Sequence, residues 1–245
     1  MNINAGLRGD YFSGFGWEWS PSVNISYSIT KELVARALAG RAYRIPTFTD
    51  LYYNDAANIG NPSLIPESSW TYEAGASYRV ERLSCSAAYF HRDTYDTIDW
   101  TRANSKLPWR VSNIGSMETN GFELNLSASL SPVKAFFGYT VIDTYRKHDY
   151  LSKYALDYLK QHISSGIEWE IEGFVNSWVI NYKKRIGDSG YIVTDTKISK
   201  DIINKDSIKF NVFLEISNIF DTHYSEQSDI PMPGRWIKSG GRVEF

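Results

Sequence analysis

Apolar and polar residues alternate with a period of two along most of the chain. Side chains of an extended strand point to opposite faces in turn, so each such run presents one apolar and one polar face. The alternation is clearest in residues 23–29, 72–78, 122–130, 163–171 and 208–216, and weaker in residues 33–43, 134–146 and 191–200. The pattern predicts an all-β fold of about twelve antiparallel strands.

The connections between these predicted strands are alternately short and long. Short turns are predicted at residues 30–32, 80–82, 131–132, 172–173 and 204–206, and longer segments at 13–19, 44–67, 102–110, 147–160, 187–190 and 221–235. In an up-and-down meander, successive connections lie at opposite ends of the sheet. The longer segments therefore share one end, which also carries the short connection 187–190. Bacterial outer-membrane barrels have short periplasmic turns and long extracellular loops. A soluble β-sandwich, the alternative, has no reason to separate the two kinds.

Composition agrees with strands that cross a membrane. No apolar run is long enough for a transmembrane helix, whereas a barrel strand needs only about 9–11 residues, half of them apolar. The 17 Tyr and 8 Trp residues suit the aromatic girdles of a barrel. The net charge of −2 gives no strongly basic surface, so no nucleic-acid partner is predicted. Cys85 has no intrachain partner and is interpreted as a small apolar residue.

The two termini differ in what they predict. The first residues lack the basic and apolar regions of a signal peptide and already alternate like a strand, so we expect a mature or incomplete chain. The last eight residues read polar-x-Gly-x-x-apolar-x-aromatic, with Lys238, Gly240, Val243 and Phe245 at the defining positions. This octet resembles the C-terminal signal that the barrel-assembly machinery of the outer membrane reads. The alternative is an edge strand that happens to end in Phe.

Several motifs occur in a characteristic order. RIPTFTDLY at residues 44–52 precedes NPSLIPE at 61–67, then NIG at 113–115 with NGFEL at 120–124, then ISNIFD at 216–221 with Tyr224, and IPMPGR at 230–235. This series resembles TonB-dependent outer-membrane receptors across roughly residues 33–245. Cobalamin and siderophore receptors look similar through this region.

The resemblance implies a transmembrane antiparallel up-and-down β-barrel, with about twelve strands present of a barrel of about 22. Residues 1–245 would form its C-terminal part, without the plug domain and the segment that contacts TonB. A chelate or corrin ligand would dock on the extracellular loops, and TonB, driven by the inner-membrane proton-motive force, would displace the plug. An open sheet leaves unpaired backbone groups in lipid, so we expect the isolated chain to be unstable as an open half-barrel. A passive pore or structural barrel of about twelve strands is the alternative.

Candidate ligand contacts lie in the predicted outer loops. Aromatic faces suit siderophores or corrins, and arginine beside an aromatic ring suits an anionic ferric chelate. The alternatives are an interfacial girdle for the aromatic residues and a structural role for the 44–52 segment. The spacing of Tyr150, Tyr154 and Tyr158 predicts a short helix. The candidates are Tyr52, Tyr53, Asn54, Trp100, Arg102, Trp109, Arg110, Tyr150 and Tyr154.

Other chemistry finds no support in the sequence. None of the four His residues lies at metal-ligand spacing with another ligand-type residue, so no metal site or cofactor is predicted. No G-x-S-x-G motif is present, and the Asp residues at 93, 96 and 99 do not share one face of a strand. The sequence therefore predicts a protein that is not an enzyme.

Overall fold

The computed structural model describes residues 1–145, 151–205, 208–227 and 230–245, which form strands and one short helix. In chain order the elements are β1 (Asn2–Phe12), β2 (Gly16–Ser28), β3 (Leu33–Arg44), α1 (Phe48–Tyr52), β4 (Asn58–Ile59), β5 (Glu67–Val80), β6 (Leu83–Tyr95), β7 (Ile98–Arg102), β8 (Trp109–Asn113), β9 (Met117–Leu130), β10 (Val133–Tyr145), β11 (Leu151–Ser152), β12 (Leu159–Ile171), β13 (Phe174–Arg185), β14 (Tyr191–Lys205), β15 (Ile208–Ser217), β16 (Ser225–Gln227), β17 (Ile230–Pro231) and β18 (Trp236–Glu244).

Twelve strands form the main sheet, in the order β1-β2-β3-β5-β6-β9-β10-β12-β13-β14-β15-β18. Each strand lies beside the strands that precede and follow it along the chain, apart from the short strands of the loops. The sheet is therefore an up-and-down antiparallel meander, with β1 and β18 as its terminal strands. The predicted all-β class, strand number and topology are confirmed.

The register of the main sheet explains the alternation in the sequence. Ile198 of β14 lies opposite Leu214 of β15, so apolar residues meet on one face. On the other face Lys197 lies opposite Glu215, which lies opposite Lys238 of β18. The Lys238 ammonium is 2.8 Å from the Glu215 carboxylate. Because a slip of one residue would exchange the two faces, the alternation fixes the register.

The predicted separation of short and long connections is confirmed for the described connections that follow β2. Tight turns at 81–82, 131–132 and 172–173, with the slightly longer 29–32, lie at one end of the meander, the turn end. The segments 45–66, 96–116, 218–227 and 230–235 lie at the other, the loop end, together with 186–190 and the described part of the β10–β12 connection. The β14–β15 connection lies outside the described residues.

The first predicted long segment, 13–19, is wrong. Only residues 13–15 separate β1 from β2, because β2 begins at Gly16, where φ is +80°. Trp17 lies opposite Tyr11, and the Trp19 ring covers Gly9, so the two indoles belong to the strand. Large aromatic residues fit such a pleated surface well.

The chain leaves the main sheet between β6 and β9, at two points where the backbone turns. Asp96, with φ of +54°, ends the path of β6, and Gly115, with φ of +89°, separates β8 from β9. Positive φ is outside the strand region, so the chain turns at both points. This excursion supplies β7 and β8, which form a separate four-stranded sheet with β4 and β11 from two other connections, in the order β11-β7-β8-β4, here called the loop sheet.

Aromatic side chains collect near the loop end of the main sheet. The Tyr11, Trp17 and Trp19 rings follow one another with centroids 5.5 Å apart. The Trp70, Tyr72 and His91 rings form a second series, at 6.3 and 6.5 Å. Amphipathic rings of this kind occupy the interface between lipid and water in membrane barrels.

The chain divides into two compact units. The first comprises Met1–Ser77, Ala87–Phe122 and Ile142–Tyr158, and it contains β1–β3, α1 and the loop sheet. The second comprises Tyr78–Ser86, Glu123–Val141 and Leu159–Phe245, and it contains β12–β15 and β18. Among the described residues, no helix has the length and apolar character needed to cross a membrane.

Candidate functional site

Arg44, at the end of β3, joins the elements beneath the loop sheet. Its guanidinium lies 3.4 Å from the Asp50 carboxylate and 3.2 Å from the Glu67 carboxylate, and it donates to the Ile98 carbonyl at 3.0 Å. Glu67 also accepts from the Ile98 amide at 2.8 Å. These contacts support the structural interpretation of the 44–52 segment.

Helix α1 is fixed by a capping box. The Thr47 hydroxyl accepts from the Asp50 amide at 3.1 Å, and the Asp50 carboxylate accepts from the Thr47 amide at 3.0 Å and hydroxyl at 2.8 Å. Reciprocal bonds of this type satisfy donors that a helix start leaves free. Asp50 therefore serves the helix and Arg44 together.

Two asparagines of the motif series bind backbone groups of neighbouring segments. The Asn113 amide accepts from the Ile65 backbone N–H at 3.0 Å and donates to the carbonyls of Ile65 at 2.9 Å and Asp96 at 2.7 Å. The Asn61 side chain donates to the Val111 carbonyl at 3.3 Å. The motifs do not reveal these hydrogen bonds, because the bonded residues are far apart in the sequence.

The loop sheet covers a small apolar core made of Leu51, Leu64, Ile98, Trp100 and Val111. Trp100, predicted as a ligand contact, is only 7% exposed. Its ring therefore packs within the chain and is not presented to solvent. Trp109, also predicted, is partly buried and packs against this core.

A cleft of about 580 Å³ opens on the loop sheet between residues 59–61 and 101–112. Arg102 and Arg110, both predicted, line it. The Arg102 guanidinium stacks on the Trp109 ring, 4.1 Å from its centroid, and donates to the Ser105 carbonyl at 3.2 Å. The buried Nε of Arg102 has no hydrogen-bond partner among the described residues. Both charged side chains of the cleft are cationic.

Lys153 supplies a third cation, which sequence reasoning missed. Its ammonium lies 5.7 Å from the Trp100 ring, 5.8 Å from Trp109 and 5.4 Å from Tyr154, and donates to Asn58 at 3.3 Å. Its position in the sequence, between the candidates Tyr150 and Tyr154, could have indicated it. Cations held among aromatic rings favour an anionic ligand with flat faces.

The predicted residues at the end of α1 and just after it are exposed. Tyr52 and Tyr53 are exposed, and the Tyr53 ring meets Trp100 edge-on at 6.5 Å. The Tyr53 hydroxyl donates to Asp55 at 2.8 Å, which raises the pKa of Tyr53. Bonds to Asp55 from the Ala57 amide and from Tyr53 lower the pKa of the Asp55 carboxyl. Asn54 is exposed and donates to the Tyr52 carbonyl at 3.3 Å.

The predicted helix around Tyr150, Tyr154 and Tyr158 is wrong for the described residues. Tyr150 itself lies outside them. Leu151 and Ser152 instead form β11, opposite Arg102 and Thr101 of β7, and no helix follows before β12. Pairing with the loop sheet replaces the local hydrogen bonds of a helix. Tyr154 is exposed beside Lys153.

The 216–221 motif closes the last loop. The buried Asn218 side chain accepts from the Thr222 amide and donates to the Thr222 carbonyl, both at 2.9 Å. The Asp221 carboxylate accepts from the Arg235 amide at 2.7 Å. The Tyr224 ring packs on Tyr191 with centroids 4.8 Å apart, and burial raises the pKa of Tyr224. This motif holds together the described residues of the last loop, 218–227 and 230–235.

The C-terminal octet forms β18 and its end. Gly240 lies beneath the Phe213 ring, where a Cβ atom would come within 2.8 Å of ring carbon, so a larger residue would displace the ring. Val243 lies opposite Phe210, and Phe245 is fully exposed. Within the described residues, no group of three or more His, Cys, Asp or Glu side chains could hold a metal ion.

A two-faced antiparallel meander, with aromatic rings near its loop end and folded loops at that end, is typical of membrane β-barrels of the outer-membrane class. A family model described as TonB dependent receptor-like, beta-barrel, matches residues 1–219, and the chain belongs to this family. The family consists of receptors and transporters rather than enzymes, and its members, this chain included, are bacterial outer-membrane proteins.

Similar proteins share both sequence and fold. The vitamin B12 transporter BtuB of Photobacterium profundum is 25% identical over 230 residues, covering 89% of this chain and 36% of the transporter. The ferric enterobactin receptor of Pseudomonas aeruginosa is 29% identical over 112 residues, 40% of this chain and 15% of the receptor. The siderophore receptor PirA from Pseudomonas aeruginosa superposes with a TM-score of 0.75 at 20% identity, over 99% of this chain and 42% of PirA. The chain thus spans less than half the length of these proteins.

Proposed function

We propose that the chain is part of an outer-membrane receptor for TonB-dependent uptake of a scarce nutrient, such as a ferric siderophore or cobalamin. Residues 1–245 would form the C-terminal part of the barrel wall and its extracellular loops. The plug domain and the segment that binds TonB would come from the rest of the receptor. Family membership and the names of the similar proteins support this proposal.

The single observation that carries the ligand-binding role is the cationic cleft on the loop sheet. Arg102 and Arg110 line it, and the Arg102 guanidinium stacks on the Trp109 ring, which the Lys153 ammonium also approaches to 5.8 Å. Arginine forks bind carboxylate or catecholate oxygens, and indole and phenol faces stack on flat ligand groups. This chemistry favours an anionic ferric chelate over a corrin. Tyr52, Tyr53, Asn54, Trp109 and Tyr154 would extend the contact surface.

The remaining expected partners follow from the same proposal. The apolar face of the meander would contact outer-membrane lipid, and the barrel-assembly machinery would read Lys238, Gly240, Val243 and Phe245. No enzymatic activity is proposed. A passive pore differs from this receptor in two measurable ways, because it conducts steadily and does not need TonB.

Uptake in whole cells tests the proposal. Cells that produce the complete receptor are given radiolabelled ferric enterobactin or cyanocobalamin, with and without a functional TonB. We expect uptake of one probe, lost without TonB. Uptake of neither probe, uptake that continues without TonB, or a steady open channel in planar bilayers would contradict the receptor function.

The cleft is tested by exchanging Arg102 and Arg110 together for Gln. Loss of hydrogen bonds from charged donors, each worth about 1.5–3 kcal/mol, is expected to weaken probe binding by about tenfold or more. Lys106→Gln is the matched control, because Lys106 is an exposed cation of the same loop that does not line the cleft. Equal binding by the double variant and the unaltered receptor would exclude the cleft as the ligand site.

A further inference from the structure

Asp99 is the most deeply buried carboxyl group among the described residues, at 2% exposure. It lies in β7 between Ile98 and Trp100, two members of the loop-sheet core. A buried carboxylate is costly unless hydrogen bonds or a cation compensate it. No Lys or Arg pairs with Asp99 in the part of the chain that the structure describes.

The Asp99 carboxylate is instead satisfied by four hydrogen bonds. One oxygen accepts from the amides of Trp100 at 2.8 Å and Tyr154 at 3.3 Å. The other accepts from the Ser152 hydroxyl and from the Ala155 amide at 3.3 Å. Three of the four donors therefore belong to residues 152–155, in the connection between β10 and β12.

Further bonds hold the same segment in place. The Lys153 amide donates to the Trp100 carbonyl at 3.0 Å, and the Leu156 amide donates to the Ser152 hydroxyl at 3.1 Å. The segment 152–155 carries Lys153 and Tyr154, whose side chains lie together, and the Lys153 ammonium also approaches Trp109, the ring on which Arg102 of the cleft stacks. The backbone position of both residues thus depends on a side chain more than fifty residues earlier.

We propose that Asp99 is a positioning residue of the ligand site. It contacts no ligand, and it docks segment 152–155 on the loop sheet so that Lys153 stays beside Trp100 and Trp109. Without the carboxylate, three donors of the segment lose their acceptor and the segment leaves the sheet. The ligand role rests on the proposed function, whereas the docking itself does not.

The docking is tested by protease access on whole cells that produce the complete receptor. Asp99→Ala is expected to speed trypsin cleavage after Lys153 by about tenfold or more, detected by mass spectrometry as a fragment that begins at Tyr154. Asp99→Asn keeps one acceptor oxygen, so its rate of cleavage after Lys153 should lie between the rates of the unaltered receptor and Asp99→Ala. Asp221→Ala is the matched control, because Asp221 also accepts a backbone amide, in a different loop. Heat-dependent mobility in gels verifies that each barrel remains folded.

The ligand role is tested by binding of whichever probe, ferric enterobactin or cyanocobalamin, the unaltered receptor takes up. Asp99→Ala is expected to raise the half-saturation concentration about tenfold and to leave the maximal uptake rate unchanged. Lys153→Gln should weaken binding in the unaltered receptor and have no further effect beside Asp99→Ala. A simple loss of stability would lower the maximal rate and would leave the two substitutions additive.

The possible failures are distinguishable. Normal probe binding with unchanged cleavage after Lys153 in Asp99→Ala would overturn both the docking and the positioning role, and would leave the proposed function standing. Faster cleavage with unchanged affinity, or an equal loss of affinity in Asp221→Ala, would overturn the positioning role. If neither probe binds the unaltered receptor, the proposed function fails and the ligand role of Asp99 fails with it.

Discussion

Ile198→Arg is expected to destabilise the membrane-inserted receptor by about 2–4 kcal/mol, the cost of a cation on the lipid face of a barrel near the bilayer midplane. Ile198 lies midway along β14, between Asn176 of β13 and Leu214 of β15. An arginine there must either enter hydrocarbon or bend toward the interface. The measurement is reversible urea unfolding of the complete receptor in phospholipid vesicles, followed by tryptophan fluorescence.

Ser199→Arg is the matched control, since it places the same side chain one residue further on the opposite face. Ser199 lies opposite Val175 and Phe213, on the face that carries Lys197 and Glu215. An arginine on this polar face should change stability by less than about 1 kcal/mol. If Ser199→Arg destabilises the receptor as much as Ile198→Arg, the two faces have been assigned wrongly.

Arg44→Ala is expected to release the loop segment 45–66 while the main sheet stays folded. The substitution leaves Asp50 and Glu67 without their cation and removes the bond to the Ile98 carbonyl. The Arg44 side chain is 44% exposed, so solvent weakens these interactions, and we estimate a local cost of about 1–3 kcal/mol. Hydrogen exchange measured by mass spectrometry should show lost protection in α1 and none in β13 or β14.

Two variants bracket this result. Arg44→Lys should restore protection only in part, because a single ammonium cannot hold two carboxylates and a carbonyl as a guanidinium does. Arg36→Ala removes a single ion pair between β3 and β5, in which Arg36 lies 3.2 Å from Glu73. This substitution should leave α1 protected. Equal exchange in α1 for Arg36→Ala and Arg44→Ala would contradict the bracing role of Arg44.

The main sheet could be predicted because the alternation within each strand and the lengths of the connections are visible in short stretches of sequence. A strand with one apolar and one polar face has a single acceptable register, as Ile198 and Lys197 illustrate. The lengths of the connections then indicate which end of the meander carries the turns and which carries the loops. The breaks at Asp96 and Gly115 were missed, because nothing in the alternation marks a positive φ.

The loop sheet could be predicted only in part because its bonds join distant segments. Asn113 binds Ile65, and Asp99 binds Tyr154, through side chains and backbone amides that leave no periodic signal. The burial of Trp100 could not be predicted for a related reason. An aromatic residue in an outer loop has the same sequence pattern whether it faces a ligand, the interface or a core, and only the packing of the loop sheet decides.

Contact between lipid and the apolar face of β14 is the most direct test of the account. A bimane label is placed at residue 198 or 199, through Ile198→Cys or Ser199→Cys in a Cys85→Ser background, and the complete receptor is inserted into phosphatidylcholine vesicles brominated in their acyl chains. We predict strong quenching of the label at 198 and little at 199. Equal quenching at both positions, or stronger quenching at 199, would show that this face does not meet lipid and would contradict the membrane-barrel account.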